Sequence, residues 1–278
     1  MPVYRCLRRH ASIQIGQARK RGIRIMDLGL KDRVVLVTGA AKGCGAAIAL
    51  SAAQEGAHVV VNYTRSATEA EETVKAAKAM GVRSVAVQAD VGNRAEVRRM
   101  FQQIKEQFGR LDGLVNNAGP DYIHKFFMDT SEKEWSANVQ VGLMGVLNCC
   151  WEAIPMMIEQ GGGKIVSISG DSARIGESHH SPAAAARGGV ISFSKSLARE
   201  VGRNEITVNV VSMGLVHTHS TTPFVTKEYQ SLLLRNFYPI KRLGETKDVA
   251  GIAVFLLSRR ADWITGQTIS ANGGYCML

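Results

Sequence analysis

RVVLVTGAAKGCG, residues 33–45, joins a short apolar run directly to three spaced glycines. The apolar run predicts a buried β-strand, and the glycines predict a tight turn into a helix. Gly39 permits the sharp turn, Gly43 lets the backbone approach a phosphate, and Gly45 allows close contact between helix and strand. The N-terminus of the helix then presents unpaired N–H groups and a positive dipole end to a pyrophosphate. The stretch indicates a dinucleotide site, although a purely structural turn uses glycines as well.

Apolar strands continue to alternate with longer helical stretches from this turn to the C-terminus. The predicted strands are 33–38, 57–63, 82–89, 112–117, 163–169, 205–212 and 267–271, and the predicted helices are 44–55, 66–80, 94–108, 137–160, 182–203 and 246–258. Continuous apolar strands separated by helices indicate a parallel sheet covered on both faces. Right-handed crossovers then make it a doubly wound α/β Rossmann fold. No linker or repeat interrupts the pattern, so we expect a single domain over residues 26–278.

The net charge of +10 is concentrated at the N-terminus of the 278-residue chain. Residues 1–25 hold seven basic residues and no acid, which leaves only +3 for the remainder. The remainder shows no basic face, so we expect no nucleic-acid partner. The basic extension fits translated sequence upstream of a start at Met26, a transit-like leader or a polyanion-binding arm. We favour the start at Met26.

The five cysteines are scattered, without metal-binding or C-x-x-C spacing. An odd, scattered set indicates free thiols in a reducing compartment, so we expect a cytoplasmic protein without a metal site. No apolar run in the sequence is long enough to span a bilayer, so we expect no membrane segment.

Five further segments resemble the short-chain dehydrogenase/reductase family, in particular its members that are similar to 3-oxoacyl-carrier-protein reductases. They are Asp90-Val91, N116-N-A-G119, the segment 163–200, M213-G-L-V-H-T218 and the tail W263-I-T-G-Q-T-I-S-A-N-G-G274. The resemblance covers residues 26–278. It implies that Asp90 and Val91 contact adenine and that Asn117 belongs to an element bordering the adenosine ribose. It also implies that Thr218 holds the nicotinamide amide.

The resemblance also shows what this chain lacks. The family's catalytic asparagine, serine, tyrosine and lysine fall on Gly142, Gly170, Ala183 and Arg187. In the family the serine orients a carbonyl, the tyrosine passes a proton, the lysine lowers the tyrosine pKa, and the asparagine anchors a water chain. Glycine and alanine side chains supply neither a proton nor a hydrogen bond, so that mechanism is excluded here. Arg187 can still bond ribose hydroxyls, but its high pKa makes it a poor proton shuttle.

Other ionisable side chains near these positions are candidates for the missing proton donor. We single out His180, Tyr122 and Asp171, because histidine titrates near neutral pH and all three are predicted to border the emptied centre. His124, His179, His217 and His219 lie in neighbouring loops. The alternative is that the loop histidines are solvated and that Tyr122 only packs.

The residues after the second strand indicate which dinucleotide binds. An acid there would bind the ribose diol and repel a 2′-phosphate, but this strand ends without one. Lys42, Asn62 and Arg65 fit a phosphate better than a diol. We therefore expect NADP(H) rather than NAD(H), the alternative being that Lys42 and Arg65 are solvated surface charges.

Three functions remain open on this evidence. The first is an atypical NADP(H)-dependent carbonyl or alcohol oxidoreductase with a non-standard proton donor, acting on a small molecule. The second is a non-redox enzyme (an isomerase, lyase or hydrolase), and the third is a catalytically silent cofactor-binding or partner subunit. We expect a homo-oligomer, dimer or tetramer, built on the two long helices, or a mixed assembly with an active relative. Residues 215–240 are predicted to form a mobile substrate lid.

Overall fold

A seven-stranded parallel sheet in the order β3-β2-β1-β4-β5-β6-β7 forms the centre of the protein. The computed structural model describes residues 27–120 and 123–278, so the predicted extension 1–25 lies outside the described residues. The strands are β1 (Val34–Val37), β2 (His58–Tyr63), β3 (Ser84–Gln88), β4 (Gly113–Asn116), β5 (Gly163–Gly170), β6 (Ile206–Met213) and β7 (Thr268–Ala271). Each lies within two residues of its predicted bounds, and the predicted doubly wound α/β fold is confirmed.

Helices connect the strands and cover both faces of the sheet. They are α1 (Gly43–Gln54), α2 (Ala67–Ala79), α3 (Arg94–Phe108), α4 (Glu132–Val139), α5 (Gly145–Glu159), α6 (Ser172–Ile175), α7 (Ser181–Val201), α8 (Lys227–Asn236) and α9 (Thr246–Leu257). Short 3₁₀ turns occur at Phe127–Asp129, Gly202–Asn204, Thr222–Phe224 and Arg259–Ala261. The last predicted helix, 246–258, is found as α9.

Alternate residues of each central strand point into two separate apolar layers. Val35 and Val37 pack with α1, α2 and α9 on one face. Val34 and Leu36 pack with α3, α5 and α7 on the other. Because both faces are buried, successive residues of β1 are all apolar, which is why the strand appears in the sequence as a continuous run.

The long helix predicted at 137–160 is a composite of α4, a π-helical turn at Gln140–Met144 and α5. It begins earlier than predicted because Ser131 and Glu134 form a reciprocal capping box at its N-terminus. The π-helical turn contains Gly142, one of the substituted family positions. Such turns are frequent at functional sites, and this one brings Gly142 to the sheet edge discussed below.

The composite helix Glu132–Glu159 is long and apolar enough to cross a membrane by length and composition alone, contrary to the sequence-based expectation. Of its most apolar 18-residue window, 39% is buried inside the protein. Cys149, Ala153 and Met157 pack against the sheet with no exposed surface. A core helix of a folded domain passes the same test, and these contacts place α5 in that class.

Helix α7 begins one residue earlier than the sequence indicated. Pro182 lies in the first turn, where its missing N–H removes no hydrogen bond. Ser181 is the first helical residue. The N-cap position belongs to His180, whose side chain makes no capping hydrogen bond. The start of α7 thus places His180 and Ala183 one turn apart on the same side of the helix.

A buried carboxylate ties the start of the sheet together. Asp112 precedes β4 and accepts hydrogen bonds from the Arg33 guanidinium (2.7 Å), the Arg110 guanidinium (2.6 and 2.8 Å) and the Val34 backbone N–H (2.9 Å). Burial alone would raise the pKa of Asp112, but the hydrogen bonds from Arg110, Val34 and Arg33 outweigh it and the pKa is lowered. Asp112 therefore stabilises the fold only while it is ionised.

We expect Asp112→Asn to lower the free energy of unfolding at pH 7 by about 1.5–3 kcal/mol, the range for hydrogen bonds to charged groups. Because the folded-state pKa is depressed, the contribution is complete above the unfolded-state pKa of about 4 and is lost as pH falls through the folded-state value. Urea unfolding measured between pH 7 and pH 3 should show that the difference in unfolding free energy between the variant and wild type becomes smaller as the pH falls. Glu159→Gln, at an exposed ion pair, is the control. A pH-independent difference would contradict this role.

Candidate functional site

A large cleft lies at the carboxyl edge of the sheet. The strand order reverses between β1 and β4. The connections that follow these two strands leave on opposite faces of the sheet, so they diverge and open a crevice at the strand ends. The cleft has a volume of about 1040 Å³ and runs from the β1–α1 turn to α8 and the C-terminal tail. A volume of this size accommodates a dinucleotide together with a small substrate.

The β1–α1 turn has the geometry that its glycines predicted. Gly39 and Gly43 have φ angles of +60° and +63°, which side-chain-bearing residues rarely adopt. A Cβ on Gly39 would lie 2.9 Å from the Ala118 Cα, whereas a Cβ on Gly43 would meet nothing within 4 Å. A Cβ on Gly45 would collide with the Gly39 carbonyl oxygen. Gly39 and Gly45 are thus required by packing, and Gly43 faces open space at the helix N-terminus.

Thr38 and Asn117 bind the ends of β1 and β4 to each other. The Thr38 Oγ1 accepts hydrogen bonds from the backbone N–H groups of Asn117 (2.9 Å) and Ala118 (3.0 Å). In return, the Asn117 side-chain amide donates to the carbonyl oxygens of Thr38 (2.9 Å) and Gly39 (3.1 Å). The two strand ends therefore form one rigid floor below the open space at Gly43.

Asn62 does not take the place that the sequence suggested for it. Its side chain is buried, with 1% exposed. Its amide oxygen accepts from the Gly39 backbone N–H (3.2 Å), and its amide nitrogen donates to the carbonyl oxygens of Val87 and Ala89. The side chain is thus used to join β2 and β3 to the glycine turn. It supports the turn from below and does not line the cleft.

The other predicted cofactor residues all line the cleft. They are Gly39, Lys42, Gly43, Gly45, Arg65, Asp90, Val91, Asn117, Arg187 and Thr218. Lys42 and Arg65 are exposed at one end, and Thr218 lies at the other, where its backbone N–H binds the Thr221 Oγ1 (2.9 Å). The cleft therefore has a cationic end beside the glycine turn.

The four substituted family positions, Gly142, Gly170, Ala183 and Arg187, line the middle of the same cleft. The Arg187 guanidinium fills the space beside Gly170, since a Cβ there would lie 2.9 Å from the Arg187 Nη1. That nitrogen donates to the Ser172 Oγ (3.0 Å). A Cβ on Gly142 would meet only the Ala186 Cβ at 3.6 Å, an ordinary contact. A side chain at 170 would therefore require the Arg187 guanidinium to move, whereas position 142 has room.

Asp171 was a predicted proton donor, but its surroundings indicate a structural role. It is 1% exposed, and each carboxylate oxygen accepts a hydrogen bond of 2.6 Å, one from the Ser212 Oγ and one from the Asn272 amide. These bonds join β5 to β6 and to the residues after β7. Both carboxylate oxygens are thus used in structural hydrogen bonds.

His180 lies in the cleft with 8% of its surface exposed. Burial, followed by the charges of His124 and Arg187, lowers the pKa of His180 to about 4, so the ring is neutral at pH 7. The His180 Nδ1 lies 3.2 Å from the Ser178 carbonyl oxygen, which only accepts hydrogen bonds, so Nδ1 carries the ring hydrogen. The neutral ring then presents Nε2 as an acceptor and not as a proton donor. Tyr122, the third candidate, lies outside the described residues.

Four histidines line the cleft (His124, His179, His180 and His219), and the first three of them are joined by ring contacts. The His124 ring stacks on His179 (4.5 Å between ring centroids) and meets His180 edge-on (5.2 Å). Phe126 packs on the other side of His179 (4.0 Å). His217 instead lies near Thr222 in the following loop. Within residues 27–120 and 123–278, no group of three or more His, Cys, Asp or Glu side chains is arranged to hold a metal ion.

Sequence reasoning missed four residues that line the substrate half of the cleft: Glu177, Tyr229, Tyr238 and Tyr275. The Tyr238 hydroxyl accepts from the Leu215 backbone N–H (2.8 Å), and its ring stacks on Tyr275 (5.0 Å). The Tyr275 hydroxyl donates to the Glu177 carboxylate. Since these residues come from three separate segments, no local pattern in the sequence connects them.

Comparison with known proteins finds extended similarity over this whole region. A family model described as enoyl-(acyl carrier protein) reductase matches residues 39–276. The 3-oxoacyl-(acyl-carrier-protein) reductase FabG of Staphylococcus aureus strain Mu50 is 40% identical over 242 residues, covering 87% of this chain and 97% of that protein. The hydroxy(phenyl)methylsuccinyl-CoA dehydrogenase subunit BbsD of Thauera aromatica is 37% identical over 247 residues, covering 89% and 98%. A crystal structure from Sinorhizobium meliloti 1021, described as a short-chain alcohol dehydrogenase, superposes with a TM-score of 0.85 at 34% identity, covering 90% and 98%.

The contact between positions 170 and 187 can be tested by a double-mutant cycle. Gly170→Ser should displace the Arg187 guanidinium from Ser172 and lower the free energy of unfolding by about 1 kcal/mol. Adding Arg187→Lys removes the crowded guanidinium. The unfolding free energy of the double variant should therefore be about 0.5–3 kcal/mol higher than the sum of the two single-variant effects predicts. Urea unfolding of the four proteins measures this coupling. Additive effects would mean that Arg187 and position 170 do not compete for space.

Proposed function

The chain belongs to the short-chain dehydrogenase/reductase family, and from that membership we propose that it is an NADP(H)-dependent carbonyl reductase or alcohol dehydrogenase with a non-standard proton donor. The relatives named above are oxidoreductases. The observation that carries the proposal is the cleft itself: the glycine turn, an open approach at Gly43 and the Thr218 loop border one continuous space. When bound there, a nicotinamide cofactor would supply hydride chemistry.

The residues present fit such a cofactor. Gly43 leaves room for a phosphate beside the N-terminus of α1, where no side chain caps the helix. On this proposal the Arg187 side chain would bond ribose hydroxyls and Thr218 would hold the nicotinamide amide, and both residues line the cleft. The exposed cations Lys42 and Arg65 favour the 2′-phosphate of NADP(H), because the end of β2 carries no acid that would repel it.

Lys42→Ala and Arg65→Ala should each weaken NADPH binding about 10-fold, since each removes one charge-assisted contact to the 2′-phosphate. Both should leave NADH binding almost unchanged. Calorimetric titration of each variant with both dinucleotides measures the effect. Lys75→Ala, an exposed lysine of α2 that does not line the cleft, is the matched control. Equal losses for NADPH and NADH would remove the argument for a phosphate site.

The substrate that we propose is an acyl thioester with an oxygen function on its chain. The names of FabG and BbsD describe reactions of acyl-carrier-protein and CoA derivatives. In this chain Leu215, Leu232, Leu233 and Phe237 give the substrate half of the cleft an apolar wall. Leu232 and Phe237 are about half exposed, so an acyl chain would cover apolar surface that now faces solvent. The 215–240 segment, predicted as a lid, carries all four residues.

A catalytically silent subunit is the second candidate, and one observation favours it specifically. All four family positions in the cleft lack the usual side chains while the cofactor end is retained. BbsD is named as a dehydrogenase subunit. Exposed apolar side chains along α4 and α5, among them Trp135, Trp151 and Ile158, provide a face for a second chain. On this proposal the partner is an active relative and the assembly is a mixed dimer or tetramer.

The state of the thiols supports a reducing compartment in either case. Cys44, Cys149, Cys150 and Cys276 are unpaired and buried. Burial raises the pKa of Cys44 to about 11 and that of Cys150 to about 12, so neither thiol is reactive at neutral pH. Unpaired thiols of this kind support our proposal of a reducing, cytoplasmic environment.

Turnover of acetoacetyl-CoA with NADPH separates the two candidates. If the protein is an atypical reductase, the wild-type chain should oxidise NADPH at a measurable rate. The triple variant Gly170→Ser/Ala183→Tyr/Arg187→Lys should then be about 10²–10⁴-fold faster, because it regains a proton donor and a hydrogen-bond donor to the carbonyl. Absorbance of NADPH follows both reactions. NADPH binding without wild-type turnover would favour the silent subunit, and absence of NADPH binding would overturn both candidates.

A further inference from the structure

Glu177 lies in the loop between α6 and α7 and lines the same cleft as the emptied catalytic centre. Its side chain lines the cleft together with Arg187 and Ala183. The Glu177 Oε2 is 3.7 Å from the His180 Nδ1, and His180 is one helical turn before Ala183. The Arg187 guanidinium interacts electrostatically with the same carboxyl group and reaches the space beside Gly170. Glu177 is thus an acid on the side of the cleft from which the family's tyrosine is missing.

We propose that Glu177 is the proton donor of this protein in carbonyl reduction, with Tyr275 as its positioning residue. The proposal rests on the proposed reductase function. Aspartate and glutamate are common general acids. They are most efficient when the pKa of the carboxyl group lies near the working pH. No family motif named above assigns a role to position 177 or to position 275.

The chemical step balances with groups already named. Hydride addition to the carbonyl carbon breaks the C=O π bond and leaves an electron pair on the oxygen, while the dihydronicotinamide is oxidised. The Glu177 carboxylic acid O–H bond then breaks, and its proton forms the hydroxyl group of the alcohol. The electron pair of that bond stays on the Glu177 carboxylate, which regains a proton from solvent at the cleft mouth. In the reverse direction the carboxylate accepts the alcohol proton.

The surroundings of Glu177 keep its proton at higher pH than usual. Burial raises the pKa of Glu177. The hydrogen bond from Tyr275 and the charge of Arg187 lower this pKa, whereas the nearby Asp171 raises it further. The net result is a pKa above the ordinary value of about 4.3. The ionisable groups that face Glu177 are His180, Arg187, Asp171, Tyr229, Tyr238, Tyr275 and Cys276.

The other acids in the cleft are less suited to this step. His180 is neutral with its hydrogen on Nδ1. Asp171 is buried, and both of its carboxylate oxygens are bonded to Ser212 and Asn272. Burial and then the Glu177 carboxylate raise the pKa of Tyr275, so its hydroxyl holds its proton too firmly to release it. That hydroxyl donates to Glu177 and therefore orients the carboxyl group. Among the described residues of the cleft, Glu177 combines a raised pKa with a releasable proton.

The test compares Glu177→Gln, Glu177→Asp and the surface control Glu159→Gln in the full-length chain. Glutamine keeps the size and hydrogen-bonding capacity of the side chain but has no proton to release. NADPH affinity, measured by calorimetry, should be unchanged in all three. Turnover of acetoacetyl-CoA should fall about 10²–10⁴-fold in Glu177→Gln and be partly kept in Glu177→Asp. Circular dichroism and thermal unfolding verify that each variant is folded.

Two further measurements follow the proton itself. The rate of carbonyl reduction should be constant at low pH and should fall as the pH rises through the Glu177 pKa. This high-pH limb of the pH–rate profile should be absent in Glu177→Gln. Tyr275→Phe should shift the limb to higher pH, because the lost hydrogen bond had stabilised the carboxylate. Infrared titration of the carboxylic acid band should show one group with a raised pKa in wild type and none in Glu177→Gln, whether or not substrate is present.

The outcomes separate this inference from the proposed function. Wild-type turnover that Glu177→Gln retains within 3-fold would overturn the role of Glu177 and leave the reductase function standing. An infrared titration without a raised carboxyl pKa would do the same. Absence of wild-type turnover despite NADPH binding would overturn both. Loss of turnover in Glu177→Gln with unchanged NADPH affinity, together with the shifted limb in Tyr275→Phe, would support both.

Discussion

The reciprocal hydrogen bonds between Thr38 and Asn117 are the interaction on which the site depends. They join the carboxyl ends of β1 and β4, the two strands between which the sheet order reverses. Without them the glycine turn would lose its floor, since the Asn117 amide also holds the Gly39 carbonyl oxygen. Asn62 supports the same turn from β2 through the Gly39 N–H. The turn that borders the open space at Gly43 is therefore held by hydrogen bonds of the Thr38, Asn62 and Asn117 side chains.

The centre of the cleft shows how several substitutions depend on one another. Arg187 occupies space that a side chain at position 170 would need, so glycine at 170 and arginine at 187 form a compatible pair. In the residue that follows Gly170, the Asp171 carboxylate accepts a hydrogen bond from the Asn272 amide. A carboxylate just after β5 thus pairs with an amide just after β7. The emptied centre is consequently packed and hydrogen-bonded, and it retains a cation and an acid of its own.

Much of this arrangement could be predicted from local patterns. The strands were recognised because both faces of the sheet are buried, which makes each strand a continuous apolar run. The glycine turn was recognised because its positive φ angles and close contacts admit few other residues. The composite helix was placed less well, since its start depends on a capping box and its middle on a π-helical turn. Neither feature changes the apolar periodicity from which the helix was inferred.

The sequence by itself determined the fold, the place of the cleft and the absence of the family's catalytic side chains, because each of these depends on residue type at a fixed local spacing. Tertiary structure alone decided what the polar residues do. Asn62 and Asp171 looked like site residues, and the fold buries both and uses their hydrogen-bonding groups for the backbone and for neighbouring strands. Glu177 and Tyr275 went unnoticed, and the fold brings them together from separate segments. Burial and long-range pairing set the protonation and availability of a side chain, and neither is encoded in its immediate neighbours along the chain.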